Sequence, residues 1–507
     1  MKILSALQIR ELDAFTIEHE PIKSIDLMER AAQECFDWII NKYSKEHSFK
    51  IFCGLGNNSG DGLVIARLLY QAGYKVQPFI IRYSDNTSDD FKINEVRLFQ
   101  LDLSLVRNVY QISDVQKFEK NDVLIDCIFG SGLTRPTEGL VAEVIQLMNN
   151  SKQATISIDF PSGLFADKSS ISTNAHIVTA DYTLSFQLPK LAFLLPENEK
   201  YIGEVHIFNI GLDQSYIQDQ ETDFELLEIQ DVKQLIQTRK RFSHKGTFGH
   251  ALIAAGSIGK MGAAVLASKA CLRTGAGLVT TQTPTSGYSI MQIKLPEVMV
   301  QQDISKNYIS EIANIENYDV IGIGPGLGTE KSTQKGLKKL FQSYKKPMVI
   351  DADAINILGL HKTWISLIPE QSILTPHPKE FERLVGASND NFERLRMQSE
   401  FSLKYNLFVI LKGHYTCITS PDGKCYFNTS GNPGMATAGT GDVLTGILTG
   451  LLAQGYSELH ACLIGVFIHG LAGDISADKM SQQAMLSSDI IDNIGAAYKL
   501  LELENEK

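Results

Sequence analysis

The stretch from Asn432 to Gly446 constrains the fold of this 507-residue chain more than any other. An extended apolar segment, Leu407 to Leu411, and a Pro421-Asp422-Gly423 turn precede it. Apolar residues follow at positions 443, 444, 447, 448, 451 and 452. That spacing is helical rather than stranded, so Gly439-Thr440-Gly441-Asp442 is expected to open a buried helix. Glycines there leave bare N–H groups facing a ligand, and a helix N-terminus favours an anion. A carboxylate suits no pure anion binder. Asp442 suits a base that strips a hydroxyl while the N–H groups hold phosphate charge. A packing turn capped by Asp is the plainer reading of a lone Gly-x-Gly-Asp, but the length of the stretch favours a site.

The order of strand, glycine loop and helix recurs along the chain. Lys50 to Cys53 runs into Gly54 to Gly62, and an apolar helical pattern starts at Leu63. This is a nucleotide-binding arrangement, although Ser59 stands where the dinucleotide fingerprint has its third glycine. Asn57, Asn58 and Asp61 add amide oxygens and a carboxylate, which suit a cation or a polar sugar as well as phosphate. Asp122 to Phe129 leads to Gly130-Ser131-Gly132, and Ala154 to Asp159 leads to Phe160-Pro161-Ser162. Asp126 and Asp159 thus sit near strand ends, which line the ligand crevice of an open α/β sheet. In the second half, strands are expected before the loops at 256–262, 324–328, 351–354, 375–380 and 412–416. Such alternation predicts doubly wound sheets.

The length implies two or more domains. A net charge of −11 argues against a dedicated nucleic-acid or anionic-membrane binder. Seven scattered cysteines without a Cys-x-x-Cys pair suggest neither a disulfide framework nor a zinc site, and a reducing, cytoplasmic home is expected. Charges at Arg10, Glu11 and Asp13 speak against a secretory signal, and no uncharged apolar run reads as a membrane span. Residues 4–40 read as two helices around Pro21, with Leu27, Met28, Ala31, Ala32 and Phe36 as a core-packing stripe. The polar stretch 213–231 reads as a linker. Arg239-Lys240-Arg241 and Lys245 are either a solvated surface or a phosphate contact at the mouth of the second site.

Asn432 to Gly446 resembles the anion-hole and base motif of ribokinase-like enzymes, and in particular of the ADP/ATP-dependent NAD(P)H-hydrate dehydratases. The resemblance continues through the second half of the chain. It implies that Asp442 activates a substrate hydroxyl, that Ala263, Gly326, His377 and Asp442 contact substrate, and that Lys412, Gly413, His414, Tyr415, Thr416 and Gly441 bind the nucleotide. Ala438 and Lys379 stand where the family has glycine; Lys379 puts the turn after His377 in question. The first half resembles the Rossmann-like NAD(P)H-hydrate epimerase domain, through the loops above and Leu27-Met28-Glu29-Arg30-Ala31. It implies that Asn57, Asn58, Ser59, Gly60 and Asp61, with Gly130, Ser131, Gly132, Leu133, Thr134, Arg135 and Pro136, bind the hydrated dinucleotide. Asp159 is implied as a catalytic contact, and Asn58, Asp126 and Ser162 as ligands of a potassium ion. Ser59 fits if its φ is negative or its side chain points away from the ligand. Lys190 lies near a family pattern and is read as structural.

These resemblances imply two three-layer αβα domains, a Rossmann-like one over 1–216 and a ribokinase-like one over 217–507. The implied function is repair of hydrated NADH and NADPH. The first domain epimerises the R and S hydrates. The second dehydrates the S form at the expense of ADP or ATP, with magnesium, by phosphorylating the C6 hydroxyl and eliminating phosphate. A homo-oligomer acting on a small molecule, without nucleic acid or membrane, is expected. The alternatives are a ribokinase-like vitamin kinase and a non-catalytic dinucleotide-binding protein.

Overall fold

The computed structural model describes residues 1–171 and 176–502. Two compact units form: Lys2–Thr222 with Asp390–Phe392, and Met1 with Asp223–Asn389 and the chain from Glu393 onward.

In the first unit α1 (Ala6–His19) starts at a capping box between Ser5 and Gln8, and α2 (Ser24–Lys42) follows after Pro21. Seven parallel strands are β1 (Ser48–Cys53), β2 (Lys75–Ile81), β3 (Arg107–Val109), β4 (Asp122–Cys127), β5 (Thr155–Ile158), β6 (Tyr182–Phe186) and β7 (Glu204–Phe208). Their order is β3-β2-β1-β4-β5-β6-β7. Side chains alternate between the two faces. Phe49, Ile51 and Cys53 of β1 join one apolar cluster with α2 and α3 (Asn57–Gln71), while Phe52 joins another with the Gly139–Asn149 helix. The order in which strands are added switches sides between β1 and β4, which opens a crevice at their C-terminal ends.

One expectation needs correction here. The helix after β1 begins at Asn57, not Leu63. The glycines inside it serve close packing rather than loop freedom: a Cβ on Gly60 would lie 2.6 Å from Met28 Sδ, and one on Gly62 would lie 2.7 Å from Cys127 Cβ.

The second unit holds ten strands: β8 (Phe224–Leu227), β9 (His250–Ala254), β10 (Leu278–Thr283), β11 (Met299–Gln302), β12 (Val320–Ile323), β13 (Met348–Ile350), β14 (Ile373–Leu374), β15 (Phe408–Leu411), β16 (Cys417–Thr419) and β17 (Cys425–Asn428). Their order is β11-β10-β9-β12-β13-β14-β15-β16-β17-β8. Pairing is parallel from β11 to β15, antiparallel across β15-β16-β17, and parallel again from β17 to β8. Phe408 and Ile410 face the helices Thr440–Ala453, Glu458–Met480 and Ser487–Leu501, while Val409 and Leu411 face the opposite cluster.

The stretch 213–231 is not an unstructured linker. It carries the Gln214–Asp219 helix, β8 and the Ile229–Lys233 helix, because Phe224 to Leu227 satisfies its backbone on β17. The expectation that no run reads as a span also needs qualification. Glu458–Met480 is 23 residues long with mean hydropathy 1.4, and is long and apolar enough to cross a membrane. In the fold 72% of that window is buried, as a core helix packed on its two helical neighbours. All seven cysteines are buried and free.

Candidate active sites

The crevice of the first sheet is a cleft of about 1550 Å3. It is walled by Arg10, Asp13 and Ile17 of α1, by Leu27, Met28 and Ala31 of α2, by Asn57, Asn58 and Asp61 in the first turn of α3, and by the loop 130–136. Asp159 and Lys190 also line it. The stripe on α2 is therefore more than core packing, since part of it forms the cleft wall.

Asp159 follows β5 directly and adopts the left-handed region, φ 61°. Asp tolerates that region better than bulkier residues, and such outliers cluster at functional sites. The conformation lets its carboxylate accept a hydrogen bond from Ser131 N at 2.9 Å and pair with Lys190 Nζ at 3.1 Å. A Cβ on Gly130 would sit 2.7 Å from Asp159 Oδ2, so that approach needs glycine. Lys190 is 2% exposed and also donates to Ser185 Oγ at 2.7 Å and to Phe186 O at 3.1 Å. Its ammonium is the ion-pair partner of the Asp159 carboxylate. Burial works to raise the Asp159 carboxyl, but Lys190 and the Ser131 amide outweigh it and hold the group below its ordinary value.

Ser59 does not meet the cleft. Its φ is not positive, its side chain is fully buried, and its hydroxyl donates to Cys127 O at 2.9 Å. Gly60 likewise packs on Met28 rather than lining the cleft. Asp126 is fully buried. It accepts from Ser162 Oγ at 2.5 Å, Ser162 N at 2.8 Å, Ser157 Oγ at 2.9 Å and Ile128 N at 3.2 Å. Burial still raises its carboxyl despite these bonds. Both polar atoms of the Asn58 side chain are buried without a hydrogen-bond partner.

In the second unit, Gly439 caps the Thr440–Ala453 helix at φ 90°, as the sequence pattern requires, and Asp442 lies in its first turn. Asp351, at the end of β13, is held from two sides: Lys412 Nζ donates to it at 3.0 Å and Thr445 Oγ1 at 2.8 Å. Thr445 stands three residues after Asp442, on the same helix face, and so brings the two carboxylates toward each other. Lys412 also packs against the helix start, since a Cβ on Gly441 would be 3.3 Å from its ammonium. Burial first, then the charges of Asp351 and Asp353, push the Asp442 carboxyl up to about 7 against the pull of Lys412.

Gly326, φ 58°, would place a Cβ 3.1 Å from Ala263 Cβ, so these two predicted contacts adjoin. Ser257 Oγ donates to Gly326 O at 2.8 Å, and Gly328 N donates to Asp353 at 2.8 Å. His377 caps the Pro378–Val385 helix: its Nδ1 accepts from Lys379 N and Glu380 N at 3.1 and 3.3 Å, and Glu380 accepts from His377 N at 2.9 Å. Lys379 is exposed and helical, so the turn does not need glycine. Ala438 is likewise outside the positive-φ region. Residues 412–416 form a tight loop after β15, in which Thr416 Oγ1 donates to Gly413 O at 3.0 Å and His414 packs edge-on against Tyr415.

Arg239 of the basic cluster is not at this site. Arg239 donates to Gly275 O and Gln454 Oε1, at the far end of the helix that Gly439 caps. Fourteen residues of helix separate the ends by about 20 Å. Sequence reasoning missed Asp351, His469 and Asp474. Asp474 accepts from Gly431 N and Asn432 Nδ2, both at 2.9 Å, and clamps the loop. His469 Nε2 donates to Thr440 O at 3.0 Å, and burial pushes its imidazole down to about 4, which keeps it neutral. Asp351 had a signal, its place at a strand end; the other two lie in a helix that reads only as apolar.

A family described as NAD(P)H-hydrate dehydratase matches residues 251–495, and one described as YjeF-related protein N-terminus matches residues 24–192. A bifunctional NAD(P)H-hydrate repair enzyme of Moorella thermoacetica is 34% identical over 524 residues, covering 100% of this chain and 98% of that one. A crystal structure of a ribokinase-like superfamily protein from Enterococcus faecalis matches at 29% identity and TM-score 0.50, over 56% of this chain and 98% of its own. An ADP/ATP-dependent NAD(P)H-hydrate dehydratase from Bacillus subtilis, crystallised with ATP and magnesium, matches at 29% identity and TM-score 0.49, over 55% of this chain and 99% of its own. By similarity along its whole length, the chain belongs to the bifunctional NAD(P)H-hydrate repair enzymes.

Proposed function

We propose that the chain repairs hydrated NADH and NADPH in two steps: the first unit interconverts the C6 epimers, and the second dehydrates the S epimer using ADP or ATP. The observation that carries the second step is Asp442. It is a carboxylate at a glycine-capped helix start, with a pKa of about 7, beside the lysine that packs on Gly441. Hydroxide is a poor leaving group, whereas phosphate is a good one. Asp442 takes the proton of the C6 hydroxyl as the oxygen attacks the terminal phosphoryl group, and the N–H groups from Gly439 to Gly441 hold the developing charge. Loss of phosphate from C6 and of a proton from C5 to solvent then restores the double bond of the reduced ring. Ala263, Gly326 and His377 seat the hydrate. Residues 412–416 and Gly441 seat the nucleotide, which arrives with magnesium.

In the first unit the loop 130–136, Asn57 and Asp61 hold the dinucleotide, and Asp159 faces the reacting ring. Asp126, Asn58 and Ser162 fit a potassium ion. The unpartnered Asn58 amide oxygen needs a cation or a donor, and Asp126 is a buried carboxylate whose hydrogen bonds leave its desolvation uncompensated. One charge among neutral oxygens suits a weakly demanding cation better than magnesium. Such an ion supplies the charge that keeps the strand-end loops together. A crystal soaked in rubidium should show an anomalous peak within reach of all three side chains.

The test of the whole reading is incubation with mixed R and S hydrates plus ADP or ATP, following the absorbance of reduced dinucleotide. Recovery of both epimers is expected, with release of phosphate. A stable phosphorylated alcohol and no reduced dinucleotide would instead make the second unit a simple kinase.

A further inference from the structure

We propose that Asp13 is a second proton-transfer group of the epimerase cleft, acting opposite Asp159. The inference rests on the epimerase reading of that cleft. Asp13 lies on the face of α1 that forms the wall, one turn after Arg10 and one turn before Ile17, and all three line the same cavity as Asp159 and Lys190. Its neighbour Leu12 is fully buried, and Thr16 Oγ1 accepts from Asp213 N at 3.0 Å, so the helix is anchored against the domain. Among the described residues none donates a hydrogen bond to Asp13.

Seven acidic or basic groups share this space with Asp13: Arg10 from its own helix, Asp61 from α3, Arg82 after β2, Arg135 and Glu138 after β4, Asp159 after β5 and Lys190 after β6. Lys190 is committed to Asp159 at 3.1 Å, so Asp159 keeps its charge. A second carboxyl beside that charge, in a desolvated cleft, is driven to keep its proton. Burial first, then Asp159, push Asp13 up to about 7 against the pull of Lys190. Burial first, then Asp159, Asp13 and Asp90, also raise the Asp61 carboxyl, which stands in the first turn of α3. Two carboxyl groups with separated pKa values divide into base and acid.

Epimerisation needs both. C6 of the hydrate carries a hydroxyl and is bonded to ring nitrogen N1, so it is a hemiaminal carbon. Asp159 takes the hydroxyl proton while Asp13 gives its proton to N1. The C6–N1 bond breaks, its electron pair goes to nitrogen, and the hydroxyl oxygen forms the carbonyl of an aldehyde. Rotation about C5–C6 presents the other face. N1 then attacks the carbonyl carbon, Asp13 recovers the proton from nitrogen, and Asp159 returns one to oxygen. Nothing is oxidised or reduced, and both groups end as they began.

The experiment compares full-length wild type with Asp13→Asn, Asp13→Glu, Asp61→Asn and Asp159→Asn. It measures epimerisation of the R hydrate across pH, with dehydration of the pure S hydrate as the check that each protein is folded and loaded. Asp13→Asn should lower epimerisation by about 10²-fold or more and remove the fall in rate above pH ~7 that marks loss of the acid. Asp13→Glu should restore part of the rate and bring that limb back. Wild-type rate and pH profile in Asp13→Asn would overturn the proposal, as would loss of the alkaline limb in Asp61→Asn alone. If wild type shows no epimerisation at all, the epimerase reading itself fails. A structural role for Asp13 would change rate without removing the limb and would also overturn the assignment.

Discussion

Both candidate sites combine carboxylates with one lysine at the ends of parallel strands, yet that lysine pairs with a different carboxylate in each. In the first unit Lys190 pairs directly with the central carboxylate, Asp159, and holds it charged. In the second unit Lys412 pairs with Asp351 instead, and burial, with the repulsion of its neighbours, pushes the central carboxylate, Asp442, up to about 7. The same residue types thus yield a standing anion in one site and a group poised to change protonation in the other. What differs is which carboxylate the lysine reaches, and a hydroxyl, Thr445, helps fix that choice by holding Asp351 to the Asp442 helix.

The strongest break of this comparison is Asp442→Asn. The amide keeps the shape but accepts no proton, so dehydration should fall by ~10²–10⁴-fold while epimerisation continues. Turnover near wild type would remove Asp442 from the chemistry. Next is Lys190→Met, which leaves Asp159 buried without its partner. Epimerisation should fall by about 10²-fold and dehydration should be unchanged; equal loss of both activities, measured separately, would mean that the change acts through folding.

A subtler test moves a pKa rather than removing a group. Asp442 must be ionised to act as a base, so dehydration kcat/KM should rise with pH and level off above about 7. Asp351→Asn removes the largest charge that raises Asp442 and releases Lys412 from its partner. The midpoint of that rise should move to lower pH, and a shift upward would refute the electrostatic account. The smallest effect is expected from Ser59→Ala. Its lost hydrogen bond to Cys127 O should cost about 1 kcal/mol in denaturant unfolding, with epimerisation unaffected because the side chain faces away from the cleft. A clear loss of epimerisation in a stable Ser59→Ala protein would put that side chain back in the site.

The alternation of strands and helices, the helix opened by Gly439 with Asp442 in its first turn, and the strand-end positions of Asp126 and Asp159 were all legible in the linear order of residues. They follow from local rules: periodicity separates strand from helix, glycine permits the positive φ of 90° at the cap, and strand ends in a parallel sheet point to one edge. The resemblance of the two halves to the epimerase and dehydratase domains was legible for the same reason, because it is carried by contiguous motifs. The start of α3 was misjudged because glycines at 60 and 62 look like loop residues until Met28 and Cys127, distant in sequence, are seen to press on them. Arg239 to Arg241 could be read as a solvated surface or as a phosphate contact, because charge is visible in a sequence and the distance of Arg239 from the helix start is not.

What only the tertiary structure decided is the pairing of charges. Lys190 and Asp159 are 31 positions apart, Lys412 and Asp351 are 61 apart, and Asp13 meets Asp159 from the opposite end of its domain sequence. A pKa depends on burial and on charges within a few ångströms, and neither quantity has a periodicity or a motif. Local order thus determined which residues stand at the strand ends, whereas the packing of distant segments decided which of them carry a proton.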